Sequence, residues 1–489
     1  MNKLRRIRQS KHAAMRTLVV LYLAALWMGY PAVAQNAKHA TTAVPVRSPE
    51  VTHTGKAPTG YTVTFRYWAP KAKRVQIQGE WYFARPSAML WITPTPDYPT
   101  LQGPGLLPKD WQPGDFPFVK FDPAQPYRLG GNWAVADLTK GKDGVWVYTT
   151  PMPSGVFTYS FNVDCADPCK TWGNGVETQA MSDPNNRPWN ETKEGVIDGS
   201  IQHNSQVYVP SDANFGTVDY SWQAPAKHRG RLVHLTYPSP GHVKPMDVNY
   251  VVVYTPPNYD PARAKPYPTL YLSQGTGGGN EMNWSTEAVV NNILDNLINS
   301  GQIRPMVAVM PDEMDFKGDP PRGGVRTGFF ESHDEDVIHN LIPYIEQHYH
   351  VSTSATDRAF AGFSMGGSIT NSLMINCPEC TEAFQYYGVM DSGLPPDKDT
   401  LTPQQIAALK GKSIFIGAGW QDPVFNRLEI VSGQPVQTGT AAEVSAFVKA
   451  GIPLTTDFVN GGHDYFVFRI ILKDFLTRVA FLPQPYKPW

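Results

Sequence analysis

The sequence predicts two folded parts: an all-β sandwich, then an α/β domain built on a mainly parallel sheet with helices on both faces. Three observations carry this. Between residues 61 and 209, short stretches alternate apolar and polar side chains and no helical stretch intervenes, which is the period of half-buried strands. From residue 231 on, short apolar runs interleave with amphipathic helical stretches, as strands joined by crossover helices do. At residues 358–368, R-A-F-A-G-F-S-M-G-G-S, an apolar run enters a glycine-flanked serine and then a helix-like segment.

The first 34 residues stand apart from both parts. Six basic residues, from Lys3 to Arg16, precede an apolar run at 18–28 and the small-x-small triplet Ala32-Val33-Ala34, the order of a secretory signal peptide. The run is short for a bilayer span, and an uncleaved anchor is the alternative. Without this segment 36 basic residues face 43 acidic ones, a balance of −7, which argues against nucleic acid as a partner. No other stretch is long and apolar enough to span a membrane, so the expected location is secreted or periplasmic. Oligomeric state is not readable. The four cysteines form two tight pairs, Cys165 with Cys169 and Cys377 with Cys380. In an exported chain these predict two local disulfides, and no histidine pattern accompanies them to make a zinc site. No cofactor or metal is expected.

Residues 35–57 are polar and aperiodic, which predicts a flexible lead-in. The sandwich is expected over 58–210. Tyr61, Val63, Phe65 and Tyr67 share one strand face, Val75 and Ile77 continue the pattern, and further strands are expected at 145–149, 156–163 and near 206–209. Residues 86–126 carry ten prolines among several aromatics; such a segment resists regular structure and reads as an insertion, packed on the surface or over the mouth of a site. After a linker at 211–229, the second domain is expected over 230–489, with strands at 231–237, 248–254, 269–273 and 306–310 and helices at about 286–299 and 334–348.

Within 358–368, Gly362-Phe363-Ser364-Met365-Gly366 forms G-x-S-x-G. The pentapeptide alone is weak in a chain with 41 glycines; the strand before it and the helix after it make it a nucleophile elbow. A serine hydroxyl needs a base, and the base needs an orienting acid. His463, in N-G-G-H-D-Y, is the only histidine after Ser364. Asp422 follows the strand-like run 413–416 and a turn, which suits the acid; Asp391 and Asp464 are its rivals. The N–H of Met365 begins the helix and can serve an oxyanion. A second donor is expected from the glycine-rich run Y-L-S-Q-G-T-G-G-G, at Thr276. Trp284, Trp420 and Tyr465 lie close in sequence to these groups and are expected to wall a substrate pocket.

The segments Y-L-S-Q-G-T-G-G-G, N-L-I-P-Y-I-E-Q-H-Y, R-A-F-A-G-F-S-M-G-G and N-G-G-H-D-Y-F-V-F-R resemble the esterase D family of α/β hydrolases, which holds feruloyl, other carbohydrate and enterochelin esterases. The order V-T-F-R-Y-W-A-P, R-V-Q-I, G-V-W, F-T-Y-S-F-N-V-D and D-P-N-N resembles the immunoglobulin-like, early-set, glycogen-binding-like module that precedes many bacterial esterases. The resemblance implies an α/β-hydrolase domain behind a β-sandwich, with Ser364 as nucleophile, His463 as base and Asp422 as acid. Two departures stand out: Gln274 replaces the family's usual histidine before the oxyanion glycine, and Tyr465 stands where feruloyl esterases often carry tryptophan. The expected activity is an exported serine esterase acting on feruloyl or other carbohydrate-linked esters. A siderophore trilactone esterase and a carbohydrate-binding protein with a disabled hydrolase domain are the alternatives.

Overall fold

A computed structural model describes residues 46–86, 105–118, 133–165, 181–186, 204–275, 280–319, 330–394, 401–431 and 433–482. The expected signal peptide, Cys169, Thr276 and most of the 86–126 insertion lie outside them. The first part contains β1 (Glu50–His53), β2 (Tyr61–Trp68), β3 (Val75–Gly79), β4 (Phe83–Ala84), β5 (Phe116–Pro117), β6 (Ala134–Asp137), β7 (Thr139–Lys140), β8 (Val145–Pro151), β9 (Gly155–Val163) and β10 (Ser205–Val209). They form two antiparallel four-stranded sheets, ordered β1-β2-β8-β7 and β10-β9-β3-β6, and a small β4/β5 pair. Val63 and Phe65 of β2, Ile77 of β3, Tyr159 and Phe161 of β9 and Val207 of β10 meet in the core, so the alternation in the sequence marks the inward face. The D-P-N-N segment is hydrogen-bonded to β9 and β10. Asp183 accepts from Ser48 Oγ at 2.6 Å and Tyr159 Oη at 2.9 Å, and Asn186 Nδ2 reaches Gln206 O at 2.7 Å.

Two expectations change here. The lead-in does not extend to residue 57, because Glu50–His53 pairs in antiparallel register with Tyr61–Thr64 as an edge strand. A polar edge strand gains its order from the backbone ladder rather than from buried side chains, so it leaves no apolar period to read. The insertion, in its described part, packs inward. Trp111 joins the sandwich core, and Phe116 and Phe118 cluster with Ala84 against Phe466 of the second part.

The second part contains β11 (Arg231–Val243), β12 (Met246–Thr255), β13 (Thr269–Ser273), α1 (Val290–Asn299), β14 (Val307–Pro311), α2 (Glu331–Asp336), α3 (Ile342–His348), β15 (Arg358–Phe363), α4 (Met365–Ile375), α5 (Pro378–Ala383), β16 (Tyr386–Met390), α6 (Pro403–Leu409), β17 (Ser413–Gly419), the hairpin β18 (Arg427–Val431) and β19 (Gln434–Thr438), α7 (Thr440–Ala450), β20 (Leu454–Val459) and α8 (Tyr465–Arg478). Eight strands form one sheet in the order β11-β12-β14-β13-β15-β16-β17-β20. The β11/β12 and β12/β14 pairs are antiparallel; every later pair is parallel. Helices α1 and α8 bury their apolar sides on one face of the sheet, and α3, α4 and α7 on the other.

Helix α1 starts at Val290 rather than near residue 286. Asn283 Oδ1 takes the Asn280 N–H and Thr286 Oγ1 donates to Met282 O, local bonds that compete with helix formation. The expected helix at 334–348 begins earlier, at Glu331, and passes through a π-helical turn, Val337–Leu341, before α3. Pro343 lacks the N–H that would serve the carbonyl one turn back, which accounts for the widened turn. The linker at 211–229 is held against α1, where Asn296 Nδ2 donates to Ala224 O at 2.7 Å and Asn292 Nδ2 to Gln223 O at 3.2 Å. The described residues from Val46 onward belong to one compact unit.

Candidate active site

Ser364 stands between β15 and α4 with φ 57° and ψ −120°, a backbone region that an L-residue occupies only under constraint. The constraint is close packing on both sides. A Cβ on Gly362 would lie 2.3 Å from Gly366 O, and one on Gly366 would lie 2.3 Å from Ser273 O. The Ser364 N–H donates to Met390 O at 2.9 Å, tying the elbow to β16. Beneath it, Phe363 stacks on Phe468 at 4.2 Å and meets Trp284 and Tyr465 edge-on at 4.9 and 5.4 Å. Met365 opens α4, so its N–H has no carbonyl of that helix to bond and remains placed beside Ser364.

The loop after β20 brings His463 onto this serine. Its Nε2 lies 2.8 Å from Ser364 Oγ and its Nδ1 lies 2.6 Å from Asp422 Oδ2. Asp422 is fixed in turn, since Oδ1 accepts the Val424 N–H at 2.6 Å. Gln421 clamps the two loops together: its N–H donates to Gly461 O at 3.0 Å and its Oε1 accepts the Gly461 N–H at 2.7 Å. Burial disfavours the charged imidazole, but the Asp422 carboxylate and then Asp464 outweigh it and raise the His463 pKa above its ordinary value. Such an arrangement can take a proton from a hydroxyl and keep the resulting imidazolium oriented.

The two rival acids occupy other places. Asp464 caps α8, its Oδ1 accepting the Val467 N–H at 3.1 Å; burial raises its carboxyl to about 6. Asp391, just past β16, lies behind Asp422, and one oxygen of each carboxylate and a His463 ring nitrogen fall within 4.8 Å of one another. The three aromatic residues separate as well. Trp420 is 42% exposed and leans on Phe425 and Phe458, and Tyr465 is half-buried. Trp284 does not open on a pocket: it is 1% exposed, donates Nε1–H to Ser273 O at 3.0 Å and braces the elbow from the core side. A tryptophan close in sequence to a site carries no sign of which side its ring will take. Cys377 and Cys380 are joined, with Cα atoms 5.1 Å apart.

Contacts from the first part reach the same loop, and no local pattern in the sequence announces them. Arg469 on α8 donates Nη1–H to Val156 O at 2.8 Å and Nε–H to Glu287 O at 2.9 Å, with Glu80 at 3.7 Å. Phe118 packs against Gly462, beside the histidine, so closely that a Cβ there would lie 3.0 Å from its ring.

A parallel sheet with a strained serine at the end of a central strand, followed in chain order by acid and histidine, defines an α/β-hydrolase fold. Residues 246–479, a little under half of the chain, match the family model described as a putative esterase; the β-sandwich precedes them. The chain is 30% identical over 297 residues to an endo-1,4-beta-xylanase/feruloyl esterase of Xylanibacter ruminicola, an alignment covering 60% of this chain and 35% of that protein. It is 30% identical over 167 residues to endo-1,4-beta-xylanase Y of Acetivibrio thermocellus, covering 32% of this chain and 14% of that one. The chain thus spans about a third or less of these relatives' length. The enterobactin esterase of Shigella flexneri superimposes with a TM-score of 0.46 at 16% identity, over 88% of this chain and 94% of that one. Among the described residues no helix is long and apolar enough to cross a membrane.

Proposed function

We propose that this protein is an exported serine esterase that hydrolyses carboxylic esters of hydroxycinnamic acids attached to carbohydrate. The observation that carries the reading is the continuous hydrogen-bonded chain from Ser364 Oγ through His463 to Asp422, at 2.8 and 2.6 Å. In the proposed reaction His463 Nε2 takes the Ser364 proton as Oγ attacks the ester carbonyl carbon. Asp422 holds the imidazolium by its Nδ1–H. The carbonyl oxygen, now anionic, is met by the Met365 N–H and by an N–H of the glycine-rich loop, for which Thr276 is the candidate. Collapse of the tetrahedral species expels the alcohol, which receives the proton from Nε2 and leaves Ser364 acylated. Water attacks the acyl-enzyme by the same route, with His463 again as base, and releases the acid.

The acyl preference rests on Trp420, an exposed ring just before the acid, and on the 30% identity to a feruloyl esterase-containing relative. Export rests on the order of basic, apolar and small residues at 1–34. The test is kcat/KM for a feruloyl ester against an acetyl ester of the same alcohol. The feruloyl ester should be the better substrate, and Trp420→Ala should narrow the difference. Equal or faster turnover of the acetyl ester would sink the acyl assignment, and absence of fluorophosphonate labelling of the native protein would sink the serine mechanism.

A further inference from the structure

Behind the acid stands a second carboxyl group that the reaction above does not use. Asp391 is wholly buried, and its backbone is held at φ 46° at the end of β16. Its N–H donates to Gly417 O at 2.9 Å and its Oδ1 accepts the Gly419 N–H at 2.8 Å, which fixes the side chain between β16 and the Asp422 loop. Its Oδ2 has no donor among the described residues. One carboxylate oxygen of Asp391, one of Asp422 and a ring nitrogen of His463 lie within 4.8 Å of one another.

Two ionised carboxylates cannot share so small a dry space, since each would raise the other's energy by far more than either gains. Asp422 already has donors for both oxygens, the Val424 N–H and the His463 Nδ1–H. Asp391 has only one. The titratable groups facing Asp391 are Asp422 from the loop after β17 and Asp464 from the turn before α8, with His463 beyond Asp422. We propose that Asp391 carries a proton throughout the working range of the enzyme and donates it to Asp422, acting as a positioning residue that holds the triad acid from behind. Burial first, and the Asp422 charge second, push its carboxyl well above the usual range, in agreement with this geometry.

A proton on Asp391 has a directional consequence. The added donor spreads the charge of Asp422 and keeps it from drawing the imidazole proton too strongly, so His463 remains free to accept the serine proton. Asparagine preserves the arrangement: its oxygen still accepts from Gly419 and its amide N–H still donates to Asp422. This inference rests on the proposed triad, and the experiment separates the two. The pH profile of kcat/KM is measured for the unmodified protein, Asp391→Asn and Asp391→Ala, with Ser364→Ala as the blank. Asp391→Asn should stay within about threefold of the unmodified protein with its acid limb unmoved. Asp391→Ala should lose roughly 10- to 100-fold, with the limb displaced to higher pH. A limb that moves to lower pH in Asp391→Asn would mean a negative charge had been removed, and would overturn the proposal, even if Asp391→Ala failed to fold. Loss of activity in Asp391→Ala with the limb in place would reduce Asp391 to packing and overturn it too. Full activity in Ser364→Ala would instead remove the triad itself, and the proposal with it.

Discussion

In the sandwich, β2 buries Val63 and Phe65 and leaves its other side chains partly open, whereas β13 through β17 of the larger sheet are buried at every position. The difference follows from what covers each sheet. The β1-β2-β8-β7 sheet faces one core and one wet side, as antiparallel sheets commonly do, whereas β3 and β9 of the other sandwich sheet are buried nearly throughout and the parallel sheet is covered by crossover helices on both faces. It also decides where chemistry can be assembled. Antiparallel neighbours send alternate ends to opposite edges, while the parallel run β15-β16-β17-β20 delivers every strand's C-terminal end to one edge. Ser364, Asp391, Asp422 and His463 follow those four strands one after another. Among the described residues the sandwich supplies no reacting group to this edge; Phe118 packs on Gly462, and Val156 and Glu80 meet Arg469 of α8.

If the parallel edge carries the reaction, changes there should affect rate and leave folding alone, and the opposite should hold at the boundary with the sandwich. The largest expected effect is that of Ser364→Ala or His463→Ala, each lowering kcat by on the order of 10⁴-fold or more, with the double variant little worse because the two act as one unit. Melting temperatures near that of the unmodified protein complete the expectation; a much slower double variant would break the coupling. Asp422→Asn should cost roughly 10³- to 10⁴-fold by favouring the wrong imidazole tautomer.

Arg469→Ala sharpens the other side of the comparison. It strips the donors from Val156 O and Glu287 O and leaves two buried carbonyls unpaired, so a stability loss of roughly 2 to 6 kcal/mol is expected in a denaturant titration. Glu80 itself makes this boundary sensitive to pH. Burial raises its carboxyl to about 7, with Arg469 opposing. The folded protein therefore keeps that proton where the unfolded chain, at its ordinary value of 4.5, has lost it. Stability should fall as pH rises between these values, by up to roughly 3 kcal/mol, and Glu80→Gln should flatten the slope. A slope unchanged in Glu80→Gln would assign the effect to another group.

The acid limb of kcat/KM gives a finer measure. His463 must be neutral to act as base, and its pKa is raised, by Asp422 over the opposing effect of burial. Activity should therefore climb with pH through a midpoint above 6.5, the imidazole's ordinary value; a midpoint below it would contradict the Asp422 contact. The smallest effect is expected at the cysteines. The mature protein should show no free thiol under denaturing, non-reducing conditions, and peptide mapping should find Cys377 with Cys380 and Cys165 with Cys169. A bridge from Cys165 to Cys377 or Cys380 would overturn the local pairing.

By itself the sequence determined the strand period of β2 and β9, the strand, turn and helix around Ser364, and the candidate histidine at 463. Each of these rests on neighbours along the chain: a period of two, glycines two residues to either side of a serine, a glycine pair before a histidine. The place of Asp422 after a strand-like run already favoured it over Asp391 and Asp464, and tertiary structure supplied the contact itself, since His463 Nδ1 meets Asp422 Oδ2 across the sheet edge. It also turned Trp284 into the core, drew Glu50–His53 into a sheet and bolted Arg469 to Val156, 313 residues away in sequence. Those outcomes depend on backbone groups and surfaces that meet only after the sheets have formed, and a backbone carbonyl as partner leaves no mark in the side-chain alphabet.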